Sequence, residues 1–129
     1  MKSVAPEQSI PQTLLEACQE LAKAYPTGTG GYFHFSGGMA MRNGWGLWRK
    51  ESPLVQEFIK LTGLFGHGDD ISGSIQRGAE ALNKGGDAMT AIRDYAEVCR
   101  SHWAHSGLDP KTGVQIGPSQ TSFTIQIDS

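Results

Sequence analysis

Several features are missing from this chain of 129 residues, and each absence narrows what it can be. No run of Lys or Arg supplies the electrostatic footprint of a general nucleic-acid binder. Acids and bases are interleaved and the formal net charge is −2, so there is no acidic block either. No apolar stretch approaches the roughly 20 residues that a membrane helix needs. The opening MKSVAPEQSIPQ has one Lys and no apolar core, which argues against a secretory signal. Together these point to a soluble, cytoplasmic chain that avoids membranes and general nucleic-acid binding.

Catalytic motifs are absent too. No Gly-x-Ser-x-Gly elbow is present, and the glycines at Gly28, Gly30 and Gly31 are not followed by Gly-Lys-Ser/Thr. The two cysteines, Cys18 and Cys99, have no CxxC partner and no nearby basic cluster to lower their pKa. Each sits on the apolar side of an expected helix, and buried free thiols are the reading favoured for both. No cofactor is expected.

What the chain has in excess is glycine, 17 residues, about twice the usual share of roughly 7%. They show no fixed period and serve turns, helix ends and close backbone contacts. The length suits one domain. Residues 1–12, with Pro6 and Pro11, read as a flexible arm, and 13–129 as a single globular domain.

Helix signals recur along that domain. Thr13-Leu14-Leu15-Glu16 is a capping box, followed by Leu14, Cys18, Leu21 and Tyr25 on one stripe. Tyr32 to Phe35 is a short aromatic run, and its His34 reads as a partly buried, satisfied imidazole. A short helix is expected to end near Asn43, with Asn43-Gly44 as its left-handed exit. Ser52-Pro53 starts another, with Leu54, Val55, Phe58, Ile59 and Leu61 as its apolar face and Gly63 as its stop. Asp69 or Asp70 caps a helix bearing Ile71, Ile75, Ala79 and Leu82; Gly73 and Gly78 weaken it but permit close packing. Asp87 caps the longest, with Met89, Ile92, Ala96, Cys99 and Trp103 in register to about His105. Near the end the period changes to two: Phe123, Ile125 and Ile127 alternate with polar residues, and Val114 to Ile116 is the expected partner strand. The expected class is α+β, mainly α: four to five helices with a short C-terminal β-hairpin. Its terminal strand could pair two copies into a homodimer.

The segments Arg42-Asn43-Gly44-Trp45-Gly46-Leu47-Trp48, Ser52-Pro53-Leu54 and His67-Gly68-Asp69-Asp70-Ile71-Ser72-Gly73, in that order, resemble an uncharacterised small-domain family of bacteria and phages. Ile10-Pro11-Gln12-Thr13-Leu14 resembles the family's opening. The resemblance spans roughly residues 10–85 and fades after Gly86. It implies a shared fold and brings no activity.

Two clusters could carry chemistry. Trp45 and Trp48 either pin a glycine-rich turn to the core or form an aromatic platform, with Arg42 and Asn43 beside it as donors. Either one of Asp69 and Asp70 caps a helix and the other complements its dipole while His67 sits in the preceding loop, or the three join a functional site. The function expected is that of a small non-enzymatic binding protein, an accessory of a phage or mobile element. It would dock a host protein, another copy of itself or a small ligand through Arg42, Asn43, Trp45, Trp48, His67, Asp69 and Asp70. The alternative is a metal-dependent, phosphodiesterase-like hydrolase using His67, Asp69, Asp70, His102 and His105 as mixed N/O ligands.

Overall fold

Five helices carry the part of the chain that the computed structural model describes, residues 10–26 and 38–118. They are α1 (Leu14–Ala24), α2 (Gly38–Gly44), α3 (Pro53–Thr62), α4 (Gly68–Asn83) and α5 (Ala88–His105). The His34 segment, the first nine residues and the expected strand at 123–127 lie outside the described residues.

Local chemistry sets most helix ends. Thr13 Oγ1 accepts the Glu16 N–H at 3.1 Å. Glu16 reaches back to the Gln12 N–H at 2.9 Å, one residue beyond the usual capping-box partner. Ser52 stands at the N-cap of α3 with Pro53 behind it, yet its hydroxyl makes no cap bond. The helix start there rests on the fixed φ of proline. Gly63 ends α3 at φ 76. Asp87 caps α5 by accepting from the Thr90 N–H and hydroxyl, at 2.8 and 2.6 Å.

α4 is the hub. It packs along both α1 and α5 and also touches α2 and α3. Ile71 and Ile75 of α4, Leu14 and Cys18 of α1, Leu54 and Phe58 of α3, and Ile92 of α5 are completely buried around it. Each large apolar side chain so buried contributes roughly 1.5–3 kcal/mol. Close approach to α1 depends on Gly78: a Cβ there would stand 2.3 Å from Cys18 Sγ. Cys18 and Cys99 are both buried and unbridged.

Three expectations need correction. The left-handed exit from α2 lies at Gly46 (φ 69), not at Asn43-Gly44, because the helix runs through Gly44 before the chain turns. Neither Asp69 nor Asp70 caps α4. The helix begins at Gly68, so both acids lie in its first turn, and His67 is its N-cap.

The α+β class and its C-terminal hairpin are also overturned, since the described residues are mainly helical and hold no strand. Gln115 pairs with Leu108 in a single isolated bridge. Asp109 N–H donates to Val114 O at 2.9 Å, and Ile116 N–H to Gly107 O at 2.7 Å. The segment thus closes on itself as a small loop after α5. One bridge makes no ladder, and Val114 and Ile116 stay exposed, with no apolar face to bury. A homodimer through the terminal strand rests on residues outside those described.

Candidate functional site

The first turn of α4 gathers most of the polar and aromatic residues singled out above. His67 Nδ1 accepts the Asp69 backbone N–H at 3.1 Å and so satisfies a free donor of the helix start. An imidazole nitrogen can accept only when it carries no proton, so this bond requires the His67 proton to sit on Nε2. Gly68 follows, buried beneath the Trp48 indole. A Cβ at position 68 would lie 2.6 Å from two carbons of that ring. Only glycine lets the indole rest on the helix at this point. Trp48 also meets the His67 ring edge-on, with centroids 5.5 Å apart. Yet the residue is 54% exposed. It is fixed on one face and open to solvent on the other.

Arg42, from α2, flanks this indole. Its guanidinium carbon lies 6.0 Å from the Trp48 ring centroid. Nε stands 3.2 Å from Asp69 Oδ1, and the Arg42 side chain is 14% exposed. That contact is an ion pair without an aligned hydrogen bond, since the buried Nε has no acceptor on the line of its N–H. Nη1 donates to Ser72 Oγ at 3.1 Å, and Ser72 Oγ donates to the Asp69 carbonyl at 3.2 Å. Arg42 therefore ties α2 to the first turn of α4, while Asp69 itself remains largely exposed.

Behind the rim lies an aromatic layer. Phe65 meets Trp103 at 5.2 Å and His67 at 6.1 Å, both edge-on. His67 lies 5.3 Å from Trp103, which also meets His102 at 4.8 Å. The Trp103 indole N–H donates to Asp70 Oδ2 at 2.7 Å. Asp70 is only 7% exposed. Burial pushes the Cys99 thiol up to about 12, and the Asp70 carboxylate beside it adds to the shift. Burial likewise raises the Tyr95 hydroxyl above its ordinary value, with Cys99 next in effect.

The structure thus brings together Arg42, Trp48, His67 and Asp69 at the surface, with Asp70 beneath them. It leaves out two of the expected residues. Trp45 is half-buried and packs on the core, so the two indoles form no shared platform. Asn43 is exposed on α2, and no bond joins it to the cluster among the described residues. The metal-ligand set does not assemble: among the described residues no group of three or more His, Cys, Asp or Glu is placed to hold an ion. Asp70 is committed to Trp103, and His105 Nδ1 lies 3.0 Å from its own helix's Ser101 carbonyl.

Three contributors escaped the sequence reading: Phe65, Ser72 and Trp103. Trp103 was legible as the last member of the α5 stripe, but its N–H partner, 33 residues away, was not. Phe65 carries no sequence signal beyond lying near His67, and Ser72 was legible only as a member of the His67–Gly73 motif, with no role assigned.

A separate open groove runs between α4 and α5. Arg77, Glu80 and Lys84 face Asp94, Tyr95 and Val98 across it. Arg77 stacks on the Tyr95 ring at 4.4 Å. Two acids and two bases leave it without a dominant charge.

Residues 26–79 match a family model described as a domain of unknown function (DUF6794). The match takes in α2, α3, the Arg42–Trp48 segment and α4 as far as Ala79, so the resemblance to an uncharacterised family holds for this part of the chain. No curated protein and no solved structure matches the chain. Among the described residues no helix is long and apolar enough to cross a membrane.

Proposed function

We propose that this chain is a non-enzymatic binding protein that recognises a partner protein through Trp48 and its charged rim of Arg42 and Asp69. One observation carries the reading: an indole more than half exposed is nevertheless held in place by Gly68 beneath it and His67 at its edge. Large aromatics and arginines supply most of the binding energy at protein interfaces, and side chains already fixed lose little entropy on binding. Arg42 adds a cation beside the ring, and the exposed Asp69 an anion. A protein surface with an apolar socket and charges of both signs around it fits this arrangement. The partner is a host protein or a second copy of the chain. An accessory role in a phage or mobile element is part of the same proposal. A cytoplasmic location is supported by two cysteines that stay unbridged.

The test is parallel capture on immobilised wild-type protein and Trp48→Ala. Trp48→Ala should keep its helical circular dichroism and lose about 1 kcal/mol or less, as expected of a largely exposed position. At least one protein should be retained by the wild type and lost by the variant, and its purified form should rebind with the same difference. Identical sets on both columns would overturn the reading.

A further inference from the structure

The His67 cap has a property that an Asp, Ser or Thr cap at the same place would lack. It holds the helix through a nitrogen that must be free of a proton. Histidine is also the side chain that ordinarily changes charge between about pH 5 and 8. When Nδ1 takes up a proton it becomes a donor, and the Asp69 N–H it faces is a donor too. The cap bond is then lost. An acceptor for the new N–H stands close by in the carboxylate of the same residue, with Asp69 Oδ2 3.9 Å from Nδ1.

That carboxylate already has a partner. Asp69 Oδ1 is the anion that neutralises Arg42 Nε. It is mostly exposed, so it can swing at little cost. Arg42 is bound elsewhere to the neutral Ser72 hydroxyl. Removing Asp69 leaves the Arg42 guanidinium without its counter-charge, next to the Trp48 ring. His67 and Arg42 both touch Trp48, so both ends of the exchange report on the same indole.

We propose that His67 is a proton-operated latch on the Trp48 surface: when neutral it caps α4 and leaves Asp69 to Arg42, and when protonated it releases the cap, draws Asp69 away from Arg42 and shifts Trp48. The charge balance is simple. One proton from solvent forms the Nδ1–H bond, and beyond that only hydrogen bonds and the Asp69–Arg42 ion pair change. Among the described residues, these charged and titratable groups lie around His67. Asp69 and Asp70 lie on its own helix, the latter held through Trp103. Arg42 faces it from α2 through Asp69. Lys50 Nζ donates to the carbonyl of Phe65, whose ring touches His67. His102 stands beside Trp103 on α5. His67 and His102 are the two histidines in this set, and mutation separates them.

The proposal adds regulation to the binding role above and rests on it for biological meaning. Its test needs no partner, so the two can fail independently. Full-length protein with its three tryptophans replaced by 5-fluorotryptophan is followed by fluorine NMR, with the Trp48 signal assigned from Trp48→Phe. From about pH 8 to about pH 5, the Trp48 signal should move by more than its linewidth. In His67→Asn, which keeps a good N-cap acceptor without a titrating ring, that movement should vanish. In Asp69→Asn it should largely vanish while the His67 ring still titrates by proton NMR, because a direct effect of the nearby imidazolium would survive this change and an exchange of Asp69 would not. His102→Gln should leave it intact. A static Trp48 in the wild type, a full shift in His67→Asn or Asp69→Asn, or its loss in His102→Gln would each overturn the latch.

Discussion

Trp103 and Asp70 meet across the α4–α5 interface through one short bond, indole N–H to carboxylate, at 2.7 Å. The acid is almost wholly buried, so this donor stands in for the water it has lost. Removing the donor alone leaves a buried oxygen unsatisfied. Removing both partners does not. Trp103→Phe should therefore cost about 1–3 kcal/mol beyond its loss of packing. The pair Trp103→Phe with Asp70→Leu should recover part of that loss. Urea titrations of the two single variants and the double variant measure the coupling, and simple additivity would show that the bond contributes little.

Gly78 sets the distance between α4 and α1. Alanine is favoured over glycine inside a helix by about 1 kcal/mol. Here the clash outweighs that gain, because the new Cβ would meet Cys18 Sγ inside a completely buried contact. Gly78→Ala should destabilise by about 1–3 kcal/mol, the range for overpacking. Adding Cys18→Ala removes the sulfur and should restore most of the loss. Thermal melts of Gly78→Ala with and without Cys18→Ala decide this.

The two thiols should be chemically silent in the folded protein. Burial pushes Cys18 to about 12, with the charge of Glu57 adding to it, and Cys99 to about 12 as well. At pH 8 the thiolate fraction at such a site is about one in ten thousand, and thiolate is the reactive form. A thiol reagent such as DTNB should label neither cysteine on a time scale of minutes under native conditions, and both at once in denaturant. Fast native labelling of one residue would mean that its helix opens locally.

Asp87 gives α5 an acid-sensitive start. Its carboxyl is held below the usual carboxylate value, first by the Thr90 hydroxyl and then by the Thr90 N–H. A depressed folded value means that the contribution is complete above the unfolded carboxylate range, near pH 4, and is lost as pH falls through the lower folded value. Asp87→Asn should keep a cap that does not titrate. The difference in melting temperature between wild type and Asp87→Asn should shrink or reverse on acidification from about pH 5 to about pH 2, the interval in which such a carboxylate protonates. A constant difference would remove Asp87 from the acid response.

Helix positions were legible because their signals are local. Thr13, Ser52-Pro53, Gly63 and Asp87 act on neighbours within four residues, and the apolar stripes of α1, α3, α4 and α5 repeat at the helical period. His67 was read as a loop residue because histidine is not among the preferred caps, and the two acids after it fit that role better by type. The expected hairpin failed for a related reason: alternation in Val114–Ile116 does not fix a partner, and Gln115 found Leu108 within its own loop.

By itself the sequence determined which segments are helices, which of their faces are apolar, and that a polar and aromatic cluster lies between positions 42 and 70. Only the tertiary structure decided that Trp48 faces solvent while Trp45 packs on the core, that Gly68 lies under an indole, and that Asp70 is bound to Trp103. Periodicity and capping are set by a residue's neighbours along the chain. Exposure and pairing across 20 to 33 residues are set by how α2, α4 and α5 pack, and no short-range pattern encodes that.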